Sequence, residues 1–158
     1  MRRCSAALML LALLAVSLAA APGSLGYDPE ADPAAGLRAA TEEAQASGRR
    51  ILVVVGGDWC SWCHTLDRFV KGNEAVHEMW NRDYVTLKVH WDREHPNEAF
   101  LGRYPAIEGY PHIFVLDGDG ALLHSQDTGE LEDGDSYSPD LVTAFLRRWA
   151  PPTPSKKP

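Results

Sequence analysis

The stretch Ile51-Leu52-Val53-Val54-Val55-Gly56-Gly57-Asp58-Trp59-Cys60-Ser61-Trp62-Cys63-His64 places two cysteines, three residues apart, just after a continuous apolar run. A run without polar alternation suits a strand buried on both faces of a sheet. Beyond it, Cys63, Leu66, Phe69 and Val70 recur at spacings of three and four. They read as the core face of a helix over residues 60–70, stopped by Gly72 and Asn73. The cysteines therefore sit where a buried strand gives way to a helix. A ring this small gains little from loop-closure entropy, so thiol chemistry explains the pair better than stapling does.

A cysteine is nucleophilic as its thiolate, and the unpaired N–H groups of a helix N-terminus lower a thiol pKa from about 8.5 into roughly the 3.5–7.5 range. Cys60 occupies that position and is expected to be the acidic thiol open to alkylation. Cys63, one turn further in and facing the core, is expected to be the less acidic partner that resolves a mixed disulfide. A Cys-x-x-Cys pair also forms half of many zinc sites, but a structural site needs further ligands at suitable spacing. There is no second cysteine pair, and His64, His90 and His112 are the histidines a thiol-bound metal could recruit. The expectation is no metal and no cofactor.

Arg2 and Arg3, an apolar stretch over residues 6–21, and the small residues Ala19, Ala20, Ala21 and Gly26 read as a secretory signal over residues 1–26. The rival reading, a retained anchor touching the membrane, needs roughly 20 apolar residues and the stretch falls short. Cys4, the third cysteine of the chain, precedes the apolar stretch and leaves with the signal. Export to the periplasm or outside the cell then puts Cys60 and Cys63 in a disulfide-permissive compartment. Removing residues 1–26, which hold two arginines and no acid, takes the net charge from -7 to -9. Nucleic acid is excluded as a partner on that charge, whose plain meaning is solubility. The length left, residues 27–150, suits one domain, read as a monomer, with residues 151–158 as a disordered tail.

Along that domain, residues 36–47 form a modest amphipathic helix and residues 51–55 the first strand. A short helix over residues 74–81 leads into a strand over residues 84–90. Pro96 opens another short helix through Tyr104. His112-Ile113-Phe114-Val115-Leu116 is the next strand, and Asp117-Gly118-Asp119-Gly120 turns it into a hairpin partner over residues 121–125. The acidic stretch 127–140 reads as a solvated loop, because it lacks the ligand order of a calcium loop. Ser138 and Pro139 open a last helix striped by Leu141, Val142, Phe145, Leu146 and Trp149. The class is α/β, a mixed central sheet with helices on both faces.

Three separated segments carry a resemblance: the strand with Trp59-Cys60-Ser61-Trp62-Cys63, the stretch Lys88-Val89-His90-Trp91-Asp92, and Arg103-Tyr104 through Gly109-Tyr110-Pro111. In that order and spacing, residues 36–149 resemble the thioredoxin superfamily. With His64, Asp67 and the Gly109-Tyr110-Pro111 and Asp117-Gly118-Asp119-Gly120 segments, the chain looks like exported bacterial thioredoxin-like proteins. The resemblance implies a thioredoxin-like fold and a thiol:disulfide oxidoreductase using a Cys60-Cys63 disulfide. It also implies that Cys60 attacks, that Cys63 resolves, and that Pro111 is a cis-proline where client backbone docks. Protein thiol or disulfide clients and a redox partner follow as expected partners. One departure stands out: the buried aspartate of the family's first central strand is Val54 here, while its lysine partner is matched by Lys88. Lys88 is then expected to reach solvent or Asp58, and water, Asp58 or a histidine to move the Cys63 proton.

Around the motif, Trp59 is expected to pack and Trp62 to be exposed, with Trp59, Trp62, Tyr110 and Pro111 the candidate client contacts. His64 reads as a solvated helix residue. His112, beside Pro111, reads as a hydrogen-bonding residue or a cation favouring thiolate. Two other classes compete: a metal-delivery protein using Cys60, Cys63 and a histidine, and a redox-inert binding module on the same scaffold. Thiolate absorbance in single-cysteine variants tests the asymmetry. Cys60 should titrate below the free-thiol value of about 8.5 and Cys63 above Cys60; a Cys60 value at or above 8.5 removes it as the activated thiol.

Overall fold

The computed structural model describes residues 25–152. Most of the expected signal, residues 1–24, and of the expected tail, residues 153–158, lies outside the described residues. The elements run α1 (Pro33–Ser47), β1 (Arg50–Gly56), α2 (Ser61–Gly72), α3 (Glu74–Asp83), β2 (Tyr84–His90), α4 (Glu98–Leu101), β3 (His112–Leu116) and β4 (Leu122–Asp127). A 3-10 turn (Thr128–Leu131), β5 (Glu132–Asp133), β6 (Ser136–Tyr137) and α5 (Pro139–Arg148) complete the chain.

The four-stranded sheet has the order β2-β1-β3-β4, with β1 parallel to β2 and antiparallel to β3. Residues of β1 alternate between two cores. Leu52 and Val54 join Ile113, Val115, Leu66, Val76, Val142 and Leu146 on the side of α2, α3 and α5. Ile51, Val53 and Val55 join Ala40, Ala44, Val89, Phe114 and Leu116 on the side of α1. That double cover is why the run carries no polar alternation. Among the described residues, no helix is long and apolar enough to cross a membrane.

The local boundaries depart from the sequence reading in three places. Helix α1 starts at Pro33 rather than Gly36, because the Asp32 carboxylate accepts the Ala34 N–H at 2.8 Å and proline suits the first helical position. The helix after Pro96 shrinks to four residues, Glu98–Leu101. Asn97 sits at φ 49° with its side-chain amide donating to the His90 carbonyl at 2.7 Å, so it ties down the end of β2 instead of continuing a helix. The acidic stretch is not simply a solvated loop. Its charges face water, but Thr128, Leu131 and Tyr137 are buried and the β5/β6 hairpin lays Tyr137 against Trp62 and Phe69.

His112 begins β3 with its ring 4.7 Å from Phe114, on the α1 side of the sheet, so it is turned away from the cysteine side. Its Nε2 lies 2.8 Å from the Ser125 hydroxyl, its Nδ1 is buried without a hydrogen bond, and the residue is 4% exposed. Burial pushes its pKa below the usual histidine value, with Asp127 opposing and His124 adding to the shift. The cation considered beside the site is therefore disfavoured, and the hydrogen-bonding role stands. A lowered folded pKa means that the unfolded chain takes up this proton first. Stability from His112 should be complete above about pH 6.5 and fall as pH drops through and below it. Urea midpoints at several pH values should show this loss, and His112→Gln should flatten it; an unchanged slope would assign the loss to other groups.

Candidate active site

Strand β1 delivers the chain to a turn at residues 57–59, where the Cys60 N–H donates to the Gly57 carbonyl at 3.1 Å. Cys60 is the N-cap of α2, with extended backbone, and its sulfur accepts the Cys63 N–H at 3.1 Å. Cys60 and Cys63 are joined in a disulfide with Cα atoms 5.2 Å apart. In this state Cys60 is 4% and Cys63 3% exposed, so exposure does not separate the two as the sequence reading expected. What separates them is position, since the free N–H groups of α2 converge on Cys60. Gly56 makes the close packing possible: a Cβ there would overlap the Cys63 sulfur.

Beneath Cys63 lies a cavity of about 80 Å³ bordered by Tyr27, Val54, Leu66, Asp67 and Lys88. Val54 stands opposite Lys88 in the β1/β2 register, where an acid would have faced the amine. Lys88 turns instead to Asp67, Nζ to Oδ1 3.7 Å, and to the Leu25 carbonyl, which accepts from its amine. Burial pushes the Lys88 pKa down while Asp67 opposes the shift. Asp67 is one helical turn beyond Cys63, hence on the same face of α2, and its other oxygen pairs with Lys71 at 2.7 Å. The expected partner, Asp58, is occupied elsewhere, accepting the Leu25 N–H at 2.9 Å. The acid that borders the cavity beneath Cys63 is thus supplied by the helix. Its spacing of four from Cys63 was the sequence signal for it.

Trp59 packs against its neighbours as expected, though partly open to solvent, whereas Trp62 is less exposed than expected. Trp59 is 53% exposed, its indole N–H donating to the Trp91 carbonyl at 2.7 Å. Its ring meets those of Trp91 and Tyr110, which stack on each other at 4.6 Å. Trp91 was not singled out for this in the sequence; the packing of β2's exit against the segment before β3 brings it in. The Tyr110-Pro111 peptide is cis, and the Pro111 carbonyl accepts the Thr128 hydroxyl at 2.5 Å. Trp62 is half-buried, edge-on to Tyr137 at 5.5 Å, rather than exposed. His64 is not simply solvated either: its Nε2 is 2.8 Å from the Asp58 carbonyl, bracing the turn before Cys60.

His90 goes to a separate cluster. Asp92 Oδ2 lies 2.8 Å from His90 Nε2, and Asp92 Oδ1 lies 3.1 Å from His95 Nδ1. Among the described residues this is the grouping of three that could share an ion, and it contains neither cysteine. The Asp92 carboxyl is held well below the usual carboxylate range by the His90 hydrogen bond first and the His95 N–H second.

A family model described as Thioredoxin-like matches residues 32–118. The thiol:disulfide interchange protein DsbD of Pseudomonas sp. (strain JR1 / K1) is 34% identical over 120 residues, covering 75% of this chain and 19% of that protein. DsbD of Pseudomonas fluorescens is 30% identical over 115 residues, 72% of this chain and 18% of its own length. The chain thus spans about a fifth of these relatives. Among solved structures, a disulphide isomerase from Xylella fastidiosa Temecula1 superposes with a TM-score of 0.67 at 23% identity, covering 78% of this chain and 95% of that one. The oxidised C-terminal domain of Neisseria meningitidis DsbD gives 0.51 at 19% identity, covering 74% and 96%. These two likenesses concern the fold. With the family match running over more than half of its length, the chain belongs to the thioredoxin-like family.

Proposed function

We propose that the protein is an exported thiol:disulfide oxidoreductase that exchanges disulfides with protein thiols through Cys60 and Cys63. The observation that carries this reading is the N-cap position of Cys60, disulfide-bonded to Cys63 above a cavity holding a carboxylate and an amine. The relatives named for thiol:disulfide interchange support the same class. In the reducing direction the Cys60 thiolate attacks a client disulfide and releases one client thiolate. Cys63 then passes its proton to Asp67, attacks the Cys60 sulfur and releases the second client sulfur; oxidation runs the same steps backwards.

Clients approach along the ledge of Trp59 and Tyr110 on one flank and Trp62 on the other, with backbone docking beside Pro111. The two cysteines carry the two electrons, so no cofactor takes part. The partners are protein clients and a redox partner that resets the pair, and the chain works as a monomer in the periplasm or outside the cell, as the leader suggests.

Insulin reduction driven by a supplied dithiol should accelerate with the unsubstituted protein and not with Cys60→Ser; no acceleration rejects the activity. Cys63→Ser should accumulate mixed disulfides with client proteins, whereas the reverse pattern would exchange the roles of the cysteines. Asp67→Asn should slow mixed-disulfide decay near pH 7 by about 10²-fold, the low end for losing a positioned proton acceptor, with recovery as pH rises. Val54→Asp in that background should restore part of the rate, because it puts an acid opposite Lys88. Stopped-flow decay over pH 6 to 9 measures both, and rates indifferent to Asp67 would pass its role to water or another group.

A further inference from the structure

Tyr27 lies before α1 and outside the residues matched by the family model. It is nevertheless 7% exposed and packed in the same core cluster as Cys60, Cys63 and Val54. At Gly56, the point that a Cβ would occupy overlaps the Cys63 sulfur and is 3.2 Å from the Tyr27 hydroxyl. Hydroxyl and sulfur thus both lie against the backbone of Gly56 at the end of β1. The Lys88 amine lies 5.2 Å from the centre of the Tyr27 ring. Two residues earlier, Leu25 is tied at both backbone ends, its N–H to Asp58 and its carbonyl to Lys88, which fixes where Tyr27 enters.

We propose that the Tyr27 hydroxyl is part of the redox site and donates a hydrogen bond to the Cys63 sulfur when that sulfur carries negative charge. This rests on the oxidoreductase reading above. In the resolving step the Cys63 S–H bond breaks and its proton goes to the Asp67 carboxylate. The sulfur's electron pair forms the bond to the Cys60 sulfur, the Cys60-client bond breaks, and the client sulfur leaves as thiolate with the pair of that broken bond. Tyr27 keeps its proton throughout. Asp67 accepts and Tyr27 donates, so the two are not interchangeable.

The chemistry of the phenol fits a donor. Burial first, then Asp58, Asp67 and Tyr137, push its pKa well above the ordinary tyrosine value, so it holds its proton throughout the range in which thiols titrate. A phenylalanine would fill the same core position. The Tyr27 side chain is buried, and its hydroxyl lies near the sulfur that must become charged. Tyr27 from the lead, Asp67 from α2 and Lys88 from β2 border the cavity beneath that sulfur, and Asp58 from the turn, Lys71 from α2 and Tyr137 from β6 act on Tyr27 or Lys88.

The test is Tyr27→Phe in the full chain, which keeps the ring. Mixed-disulfide decay should slow about tenfold, as loss of a hydrogen bond to a charged group does, and the pH at which the rate rises should move up. The same shift should appear in the thiolate absorbance of Cys63 in a Cys4→Ser, Cys60→Ser background, with little change in Tm. In the reduced, unsubstituted chain the tyrosine near-ultraviolet absorption should change as Cys63 titrates. An unmoved Cys63 titration, or tyrosine absorption blind to it, overturns the proposal and leaves Tyr27 a packing residue. The equilibrium titration needs no client: a protein that fails to reduce insulin while showing the Tyr27-dependent shift rejects the activity and retains the hydrogen bond.

Discussion

Strand β1 is paired on both edges and covered on both faces, and the geometry of the redox pair follows from that enclosure. Residues 51–55 are between 0% and 3% exposed, each apolar side chain contributing about 1.5–3 kcal/mol of burial. Their backbone groups are consumed by the ladders to β2 and β3. A strand held this way cannot slide, because a one-residue slip would exchange its two cores. Its end at Gly56 is therefore a fixed point from which the turn throws Cys60 onto the start of α2. The missing Cβ of Gly56 lets the second sulfur sit against the strand.

Electrostatics near that sulfur solves a problem created by the same enclosure. An ionised group at position 54 would lie at the inner wall of the cavity, on a residue 3% exposed, and buried charge is expensive. Asp67 and Lys88 approach the cavity from its rim, with side chains 18% and 28% exposed, and Asp67 is shared with the more exposed Lys71. The carboxylate keeps partial contact with water and two cations while remaining one helical turn from Cys63. Burial of Lys88 lowers its pKa, which brings its neutral form closer to the range in which thiols ionise.

The outer layer is assembled from segments that look incidental along the chain. The lead at residues 25–27 closes the cavity by way of Asp58 and Lys88. The acidic stretch after β4 folds back so that Tyr137 supports Trp62, and burial holds its phenol up at about 12. Trp91 and Tyr110 build the ledge under Trp59. Each of these contacts joins residues far apart in sequence and flanks the disulfide.

The sequence by itself determined what depends on near neighbours. The apolar run at residues 51–55, the spacing of Cys60 and Cys63, the Gly72 and Asn73 stop and the Ser138-Pro139 start are local patterns. So are the α/β class and the strand-to-helix position of the pair, because periodicity and capping act over a few residues. The packing of Trp62 against Tyr137, the turning of His112 to the far face, and the pairing of Lys88 with Asp67 rather than Asp58 were decided by tertiary structure. The same holds for the entry of Tyr27 beneath Cys63. These depend on which side chain arrives from a distant segment, how much water that arrival removes and which polar group is nearest once it is gone. Only the packed fold sets those quantities.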